Sequence, residues 1–286
     1  MKTKHRIIIA AGVCGLLLTA PSAFSQGALT PPGAPAPTML TLNQIEPRTP
    51  VDATHTGSGG SAEFLISQPG SYYLTTNIVG VSGEHGINIS ANNVTLDLNG
   101  FSLLGVSSAG DGIYIHLGYT NVTVHNGIIS GWGNDGIDCY ANNALLEDII
   151  VSANSYDGVY FGSGGVIRDC LVENNAANGI YVAGSGSLIF GNNFAGNIVG
   201  PNNFASISVY GSNNRIEANH VTGTNTVGYG IFIYGAYTKN MVIRNSVVGS
   251  GANNYFFNSS QIVGPLITNA VSGIITNSNP WANFSF

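Results

Sequence analysis

Between Gly86 and Ser250, apolar and polar residues alternate in short runs, and the runs recur. "GINI", "GIYI", "GIDC", "GVYF", "GIYV", "SISV" and "GIFI" start at Gly86, Gly112, Gly136, Gly158, Gly179, Ser206 and Gly230. A second run trails each: "VTLDL" from Val94, "VTVHN" from Val122, "LLEDI" from Leu145, "VIRDC" from Val166, "LIFGN" from Leu188, "RIEAN" from Arg215 and "VIRNS" from Val242. Within each run the period is two, and no stretch sustains a helical period, so each run reads as a strand. Seven copies of a two-strand motif predict a solenoid, in which no single repeat has a core of its own. Closed on itself, such a repeat is one turn of a parallel β-helix, stacked on the next at ~4.8 Å. Ile87, Ile89, Ile113, Ile115, Ile137, Cys139, Val159 and Phe161 are the expected inward set. About seven or eight turns are expected, with caps over the exposed strand edges at both ends.

The flanks are of another kind. "MKTKHR" is basic, "IIIAAGVCGLLLTA" apolar, and "AFSQ" offers small residues, so residues 1–25 read as a secretory signal cleaved after Ser25. That apolar run is short for a transmembrane helix. Residues 26–50 read as a Pro-, Gly- and Ala-rich linker, residues 51–85 as N-terminal cap strands, and residues 86–286 as the β-helix with a C-terminal cap in "NPWANFSF". The expected location is periplasmic or extracellular.

Charged residues make up 8% of the chain, far below the usual ~25%. The 39 glycines and the frequent asparagines suit tight turns, because both tolerate the left-handed conformation. Without the signal, five basic and fourteen acidic residues leave a net charge of −9. That balance argues against a nucleic-acid partner, which needs a basic patch. The mature chain should have no transmembrane span. Cys139 and Cys170 fall at apolar strand positions and are expected as two buried thiols.

The repeats "DGIYI", "DGIDC", "DGVYF" and "NGIYV", with their Asn-rich turns, resemble the right-handed parallel β-helix repeat proteins of the pectate-lyase-like superfold. "PPGAPAPTMLTLNQIEPRTP" is similar to the leader of secreted β-helix proteins of environmental bacteria. The resemblance implies the handedness and an all-β solenoid, and no particular activity.

Candidate chemistry gathers at "NDGIDCY". Asp111, Asp135 and Asp157 hold the same place before a glycine on successive turns. Asp before Gly makes a tight turn through side-chain hydrogen bonds to backbone. Three stacked carboxylates would also raise one another's pKa, and a Ca²⁺ ion would relieve them. Asp111, Asp135 and Asp157 are therefore the candidate metal ligands, with calcium the cofactor to consider. Asp138 lies in an outward column with Tyr114, Tyr160 and Tyr181, beside a second column with His116, Tyr140, Tyr210 and Tyr234. Such a face offers rings and hydroxyls to a sugar polymer.

"NDGID" also resembles, one residue short, the Asn-Thr-Asp-Gly-x-Asp motif of polygalacturonase-type hydrolases. That likeness makes Asp135 or Asp138 a general acid, with Asp157 a further carboxylate within range. The remaining motifs of that family, and the Asp-Pro-His-Asp of alginate epimerases, are absent from the sequence. On the second strand His125, Glu147, Arg168, Phe190, Glu217 and Arg244 are expected in one outward column. Within it His125, Glu147 and Arg168 offer an acid, base and cation, or cross-strand ion pairs. The leading expectation is a secreted protein binding extracellular polysaccharide along its tyrosine face. The alternatives are a polysaccharide lyase or glycoside hydrolase, and a structural surface or adhesion module.

Overall fold

The computed structural model describes residues 47–198, 204–223, 228–258, 260–268 and 278–286. Residues 1–25, expected as a secretory signal, and residues 26–46 of the expected linker lie outside the described residues.

The seven expected turns form, and one more is added at each end. One sheet holds nine parallel strands: Ala62–Ile66, His85–Ile89, Ile113–Ile115, Ile137–Cys139, Val159–Phe161, Ile180–Val182, Ala205–Val209, Tyr229–Ile233 and Asn253–Phe256. The chain is thus an all-β parallel solenoid of about nine turns, with no helix among the described residues. The expected inward set is at most 1% exposed. The outward column runs in register through Asn88, Tyr114, Asp138, Tyr160, Tyr181, Ser208 and Phe232. Both cysteines are free and buried, and burial pushes both thiols up to about 12.

The repeat glycine has a steric reason. A Cβ on Gly136 would lie 2.7 Å from the carbonyl oxygen of Gly158, and one on Gly158 would lie 2.5 Å from that of Gly179. The turns pack too closely there for a side chain. Ser206 is the serine of that column, and its buried Oγ has no hydrogen-bond partner.

The second sheet corrects the two-strand reading. It carries a second and a third strand per turn, such as Val166–Arg168 and Leu171–Glu173. In Val122–Ser130 and Leu145–Ser152 the two run on as one bent strand. The bend is a single left-handed residue: Asn126, Asp148, Asp169, Ala218 or Arg244, with φ between 52° and 63°, or Gly191 at 66°. Arg244 is therefore a corner residue. The column mate of Glu217 is Ile243, which corrects the expected register by one.

The flanking segments join the same ladders. Ala62–Ile66 pairs with His85–Ile89, and Gly70–Tyr73 with Val94–Asp97, so the stretch expected as cap strands is the first turn of the coil. At the other end, Asn283–Ser285 pairs beside Ser246–Val248 and Leu266–Thr268.

Buried asparagines bind turn to turn. Asn192, Asn219, Asn245 and Asn283 form one such row. The backbone N–H and Nδ2 of each donate to Oδ1 of the next at 3.0–3.1 Å. Each Nδ2 also reaches a strand carbonyl, as Asn219 does to Ile189 O at 2.9 Å. Every polar atom of the row finds a partner, which is what burial demands.

Candidate functional site

The outward tyrosines form a continuous train of ring contacts. Centroid distances are 6.0 Å for Tyr114–Tyr140, 4.8 Å for Tyr140–Tyr160, 5.4 Å for Tyr160–Tyr181, 4.8 Å for Tyr181–Tyr210 and 5.1 Å for Tyr210–Tyr234. From Tyr160 onward these neighbours stack, with interplanar angles of 9–23°. From Tyr160 to Tyr234 the rings therefore cover part of one another's faces, which leaves less flat ring for a sugar than isolated tyrosines would offer. His116 closes the near end, edge-on to Tyr114 at 4.6 Å, and its pKa is lowered by burial and then by His85.

A cleft of about 320 Å³ opens against this train. Tyr156, Asp157, Tyr160, Asn178, Tyr181, Phe204, Ser208 and Tyr210 line it. A groove of about 390 Å³ on the other sheet, between Arg215, Met241, Ile262 and Trp281, is more apolar. Its nearby acid, Glu217, is held by Arg215 and Arg244. Of the two, only the tyrosine cleft has a carboxyl in its lining, that of Asp157.

The Asp column does build the turn. Asp135 N–H donates to Asp111 Oδ1 at 2.9 Å, Asp157 N–H to Asp135 Oδ1 at 2.8 Å, and Asn178 N–H to Asp157 Oδ1 at 2.8 Å. His85, which sequence reasoning missed, heads the same column. Its Nδ1 accepts the Asp111 N–H at 3.0 Å, and its ring stacks on Tyr114 at 4.9 Å. Its place directly before Gly86 was the available signal.

Asp138 has no such role. It lies between Tyr114 on one turn and Tyr160 on the next, only 7% exposed, and its Oδ1 is buried without a partner. One carboxylate oxygen each from Asp111, Asp135 and Asp138 falls within 4.8 Å of the other two, a group that could hold a metal ion. Asp157, expected as the third ligand, is outside this group. Burial is the main cause of the pKa shifts. It raises Asp135 to about 9, aided by the Asp157 carboxylate, and Asp138 to about 7, aided by Asp111. Asp157 rises to about 6, held back by hydrogen bonds from Asn178.

The other catalytic candidates stand apart from these, on the second sheet. Arg168 bonds Glu147 on the neighbouring turn, and His125 Nδ1 lies 4.0 Å from Asp97. Asp97 is also paired to Arg48 at 2.8 Å. Arg168–Glu147 and Arg48–Asp97 are ion pairs along the ladder, and His125 lies beside the second.

A stacked parallel coil with this register is a parallel β-helix, and the family model it matches is that of the right handed beta helix. The chain belongs to that family: its right handed beta helix region spans residues 54–198, half of the 286 residues. No curated protein matches the sequence significantly. Among solved structures, the enzymatically active domain of bacteriophage CBA120 tailspike protein 2 is similar. Its TM-score is 0.54 at 14% identity, over 84% of this chain and 46% of that chain. This chain thus spans about half the length of the tailspike domain. DFA-IIIase from Arthrobacter chlorophenolicus A6, without its lid, gives 0.48 at 13% identity, over 79% of this chain and 72% of that one. The mannuronan C-5 epimerase AlgE4 A-module of Azotobacter vinelandii gives 0.38 at 10% identity, over 79% and 76%. At these identities the likeness is one of fold, which hosts many functions. Among the described residues, no helix is long and apolar enough to cross a membrane.

Proposed function

We propose that this is an exported β-helix protein that binds extracellular polysaccharide along its tyrosine train. The observation that carries the reading is the unbroken run of ring contacts from Tyr114 to Tyr234 with a sugar-sized cleft against it. Rings held by their neighbours lose little entropy on binding. Tyrosine hydroxyls suit the hydroxyls of a sugar polymer. Burial keeps Tyr140 and Tyr181 protonated, and so able to donate, up to about 12. The outward columns hold Asp138 and no Lys or Arg, so a neutral glycan suits them better than a polyuronate. Export rests on the basic and apolar pattern of residues 1–25. Calcium is the cofactor this reading admits, at the Asp group beside the train.

Retention of the protein on a panel of immobilised neutral and uronic polysaccharides tests the reading. One neutral glycan should retain the wild type, and Tyr160→Ala/Tyr181→Ala should lose that retention. Equal retention of the double variant would sink the proposal.

One observation favours a second reading, glycoside hydrolysis. Burial raises Asp135, Asp138 and Asp157 to different extents, about 9, 7 and 6, so one carboxyl can hold its proton while a neighbour ionises. The oxygens of Asp135 and Asp138 lie within 4.8 Å, nearer the ~5–5.5 Å carboxyl spacing of retaining enzymes than the ~6.5–9.5 Å of inverting ones. New reducing ends, lost in Asp138→Asn, would replace binding with catalysis. Self-association with no glycan retained would favour a surface or adhesion module.

A further inference from the structure

We infer that Asp111, Asp135 and Asp138 form a site for one hard divalent cation of the calcium class, with Asp157 outside it. The inference deepens the cofactor part of the reading above. Its test needs no glycan, so the two can fail separately.

The first observation is a contrast within one column. Asn178 takes the place of an Asp and does the same structural work: its Oδ1 accepts the N–H of Ala205 at 3.0 Å, as Asp135 Oδ1 accepts that of Asp157. Its Nδ2 gives back a hydrogen bond to Asp157 Oδ1 at 2.9 Å. The ladder therefore works with an amide and does not need a charge. An amide row also satisfies its own atoms, whereas a carboxylate row has no Nδ2 to give. Asp111 borrows one, from Asn134 Nδ2 at 2.7 Å. The ladder thus needs an oxygen acceptor at Asp111 and Asp135 and not a carboxyl, although the second oxygen of Asp111 also lies 3.0 Å from His85 Nδ1.

The second observation is Asp138. It belongs to the outward column, takes no part in the ladder, and is nine-tenths buried with Oδ1 unpartnered. A buried charged oxygen without a partner is costly, and it persists where something else supplies the partner. Its carboxylate falls in the same 4.8 Å group as the other two. That span matches two oxygens on opposite sides of a Ca²⁺ ion, whose oxygens sit at ~2.3–2.6 Å. The donors are all carboxylate oxygens, which select calcium, magnesium or manganese over zinc or copper. Three such ligands fill about half of a Ca²⁺ shell of ~6–8, and water or a sugar hydroxyl completes it.

Tyr114 and Tyr160 flank Asp138 on its column, and Tyr140 lies two residues on. A Tb³⁺ ion in the site would therefore emit when the tyrosines are excited. The experiment is titration of the purified protein with Tb³⁺, competition with Ca²⁺, and calorimetry with Ca²⁺ alone. Saturable emission displaced by Ca²⁺ is expected. Asp138→Asn should weaken Ca²⁺ binding by about tenfold or more, since affinity follows the ligand charge count. Asp157→Asn, which keeps its ladder acceptor, should bind as the wild type does. Ca²⁺ should also raise the melting temperature of the wild type and not that of Asp138→Asn. Should Asp138→Asn fail to fold, Asp135→Asn, which keeps its Oδ1 acceptor, carries the same expectation. No saturable binding, undiminished binding by the folded variant, or equal loss in Asp157→Asn would overturn the site.

Discussion

Replacing Asp138 by Asn should stabilise the protein at alkaline pH and leave it nearly unchanged in acid, when divalent ions are chelated. The Asp138 carboxyl ionises near 3.8 when unfolded and near 7 when folded. The folded chain holds that proton more tightly. The associated stability is therefore fully present below about pH 4 and is lost as pH rises through about 7. The span from 3.8 to about 7, at about 1.4 kcal/mol per tenfold, bounds the loss at about 4 kcal/mol. Part of that shift comes from the neighbouring Asp111 and Asp157 carboxyls, so about 2 kcal/mol is the effect expected of Asp138 itself. An amide at 138 has no charge to desolvate, and its Nδ2 can donate to the Asp111 or Asp135 carboxylate. Urea unfolding midpoints at pH 4, 6 and 8 in EDTA, compared between wild type and Asp138→Asn, read the effect directly. The gap should open in favour of the variant as pH rises. A variant equal to or weaker than the wild type at pH 8 would refute the placing of an unsatisfied carboxylate there.

Three further perturbations test the frame of the site. Asn219→Ala removes the acceptor of the Asn192 N–H and the donor to Ile189 O, both buried, and should cost about 2–5 kcal/mol in urea melts. Gly158→Ala drives a Cβ against the Gly179 carbonyl oxygen, 2.5 Å away, and should cost upward of about 2 kcal/mol, measured as a lower melting temperature. Glu147→Gln breaks an ion pair whose Arg168 is half exposed, so its stability change should stay within about 1 kcal/mol, with glycan retention unchanged.

The turns were legible where a steric rule marks them. Gly136 and Gly158 are glycines because the next carbonyl leaves no room for a Cβ, so the glycine column sets the register of the first strand. Period two then sorts its residues, and Ile113 and Ile115 go in as Tyr114 goes out. The third strand was hidden because its corner is one residue long. Asn126 hints at a left-handed position, but Ala218 and Arg244 do not, and the chain runs from second to third strand with no cluster of turn residues. Counting Arg244 as a strand residue is what shifted it onto the column of Glu217. The first turn reads as a cap, and the last turn goes unread, for a related reason. "AEFLI" and "NNYF" carry no glycine before their apolar pair, so nothing in them marks the register.

The site was half legible, and the missing half has a geometric cause. A column can be read from sequence, because its members repeat at the same offset from a glycine. Asp111, Asp135 and Asp157 were found that way, and His85, directly before Gly86, obeys the same rule. A contact between columns has no such offset. Asp138 approaches Asp111 and Asp135 because its strand starts one residue after the Asp135–Gly136 corner and directs it outward past Tyr114. Whether it or Asp157 completes the trio depends on side-chain direction across that corner. The ladder settles the difference: Asn178 donates to Asp157 through both its backbone and its side chain, so that carboxylate is already satisfied. Asp138 Oδ1 receives nothing from its neighbours. The column therefore brings Asp111 and Asp135, and not Asp157, to Asp138, at the end of the tyrosine train where His85 and His116 also stand.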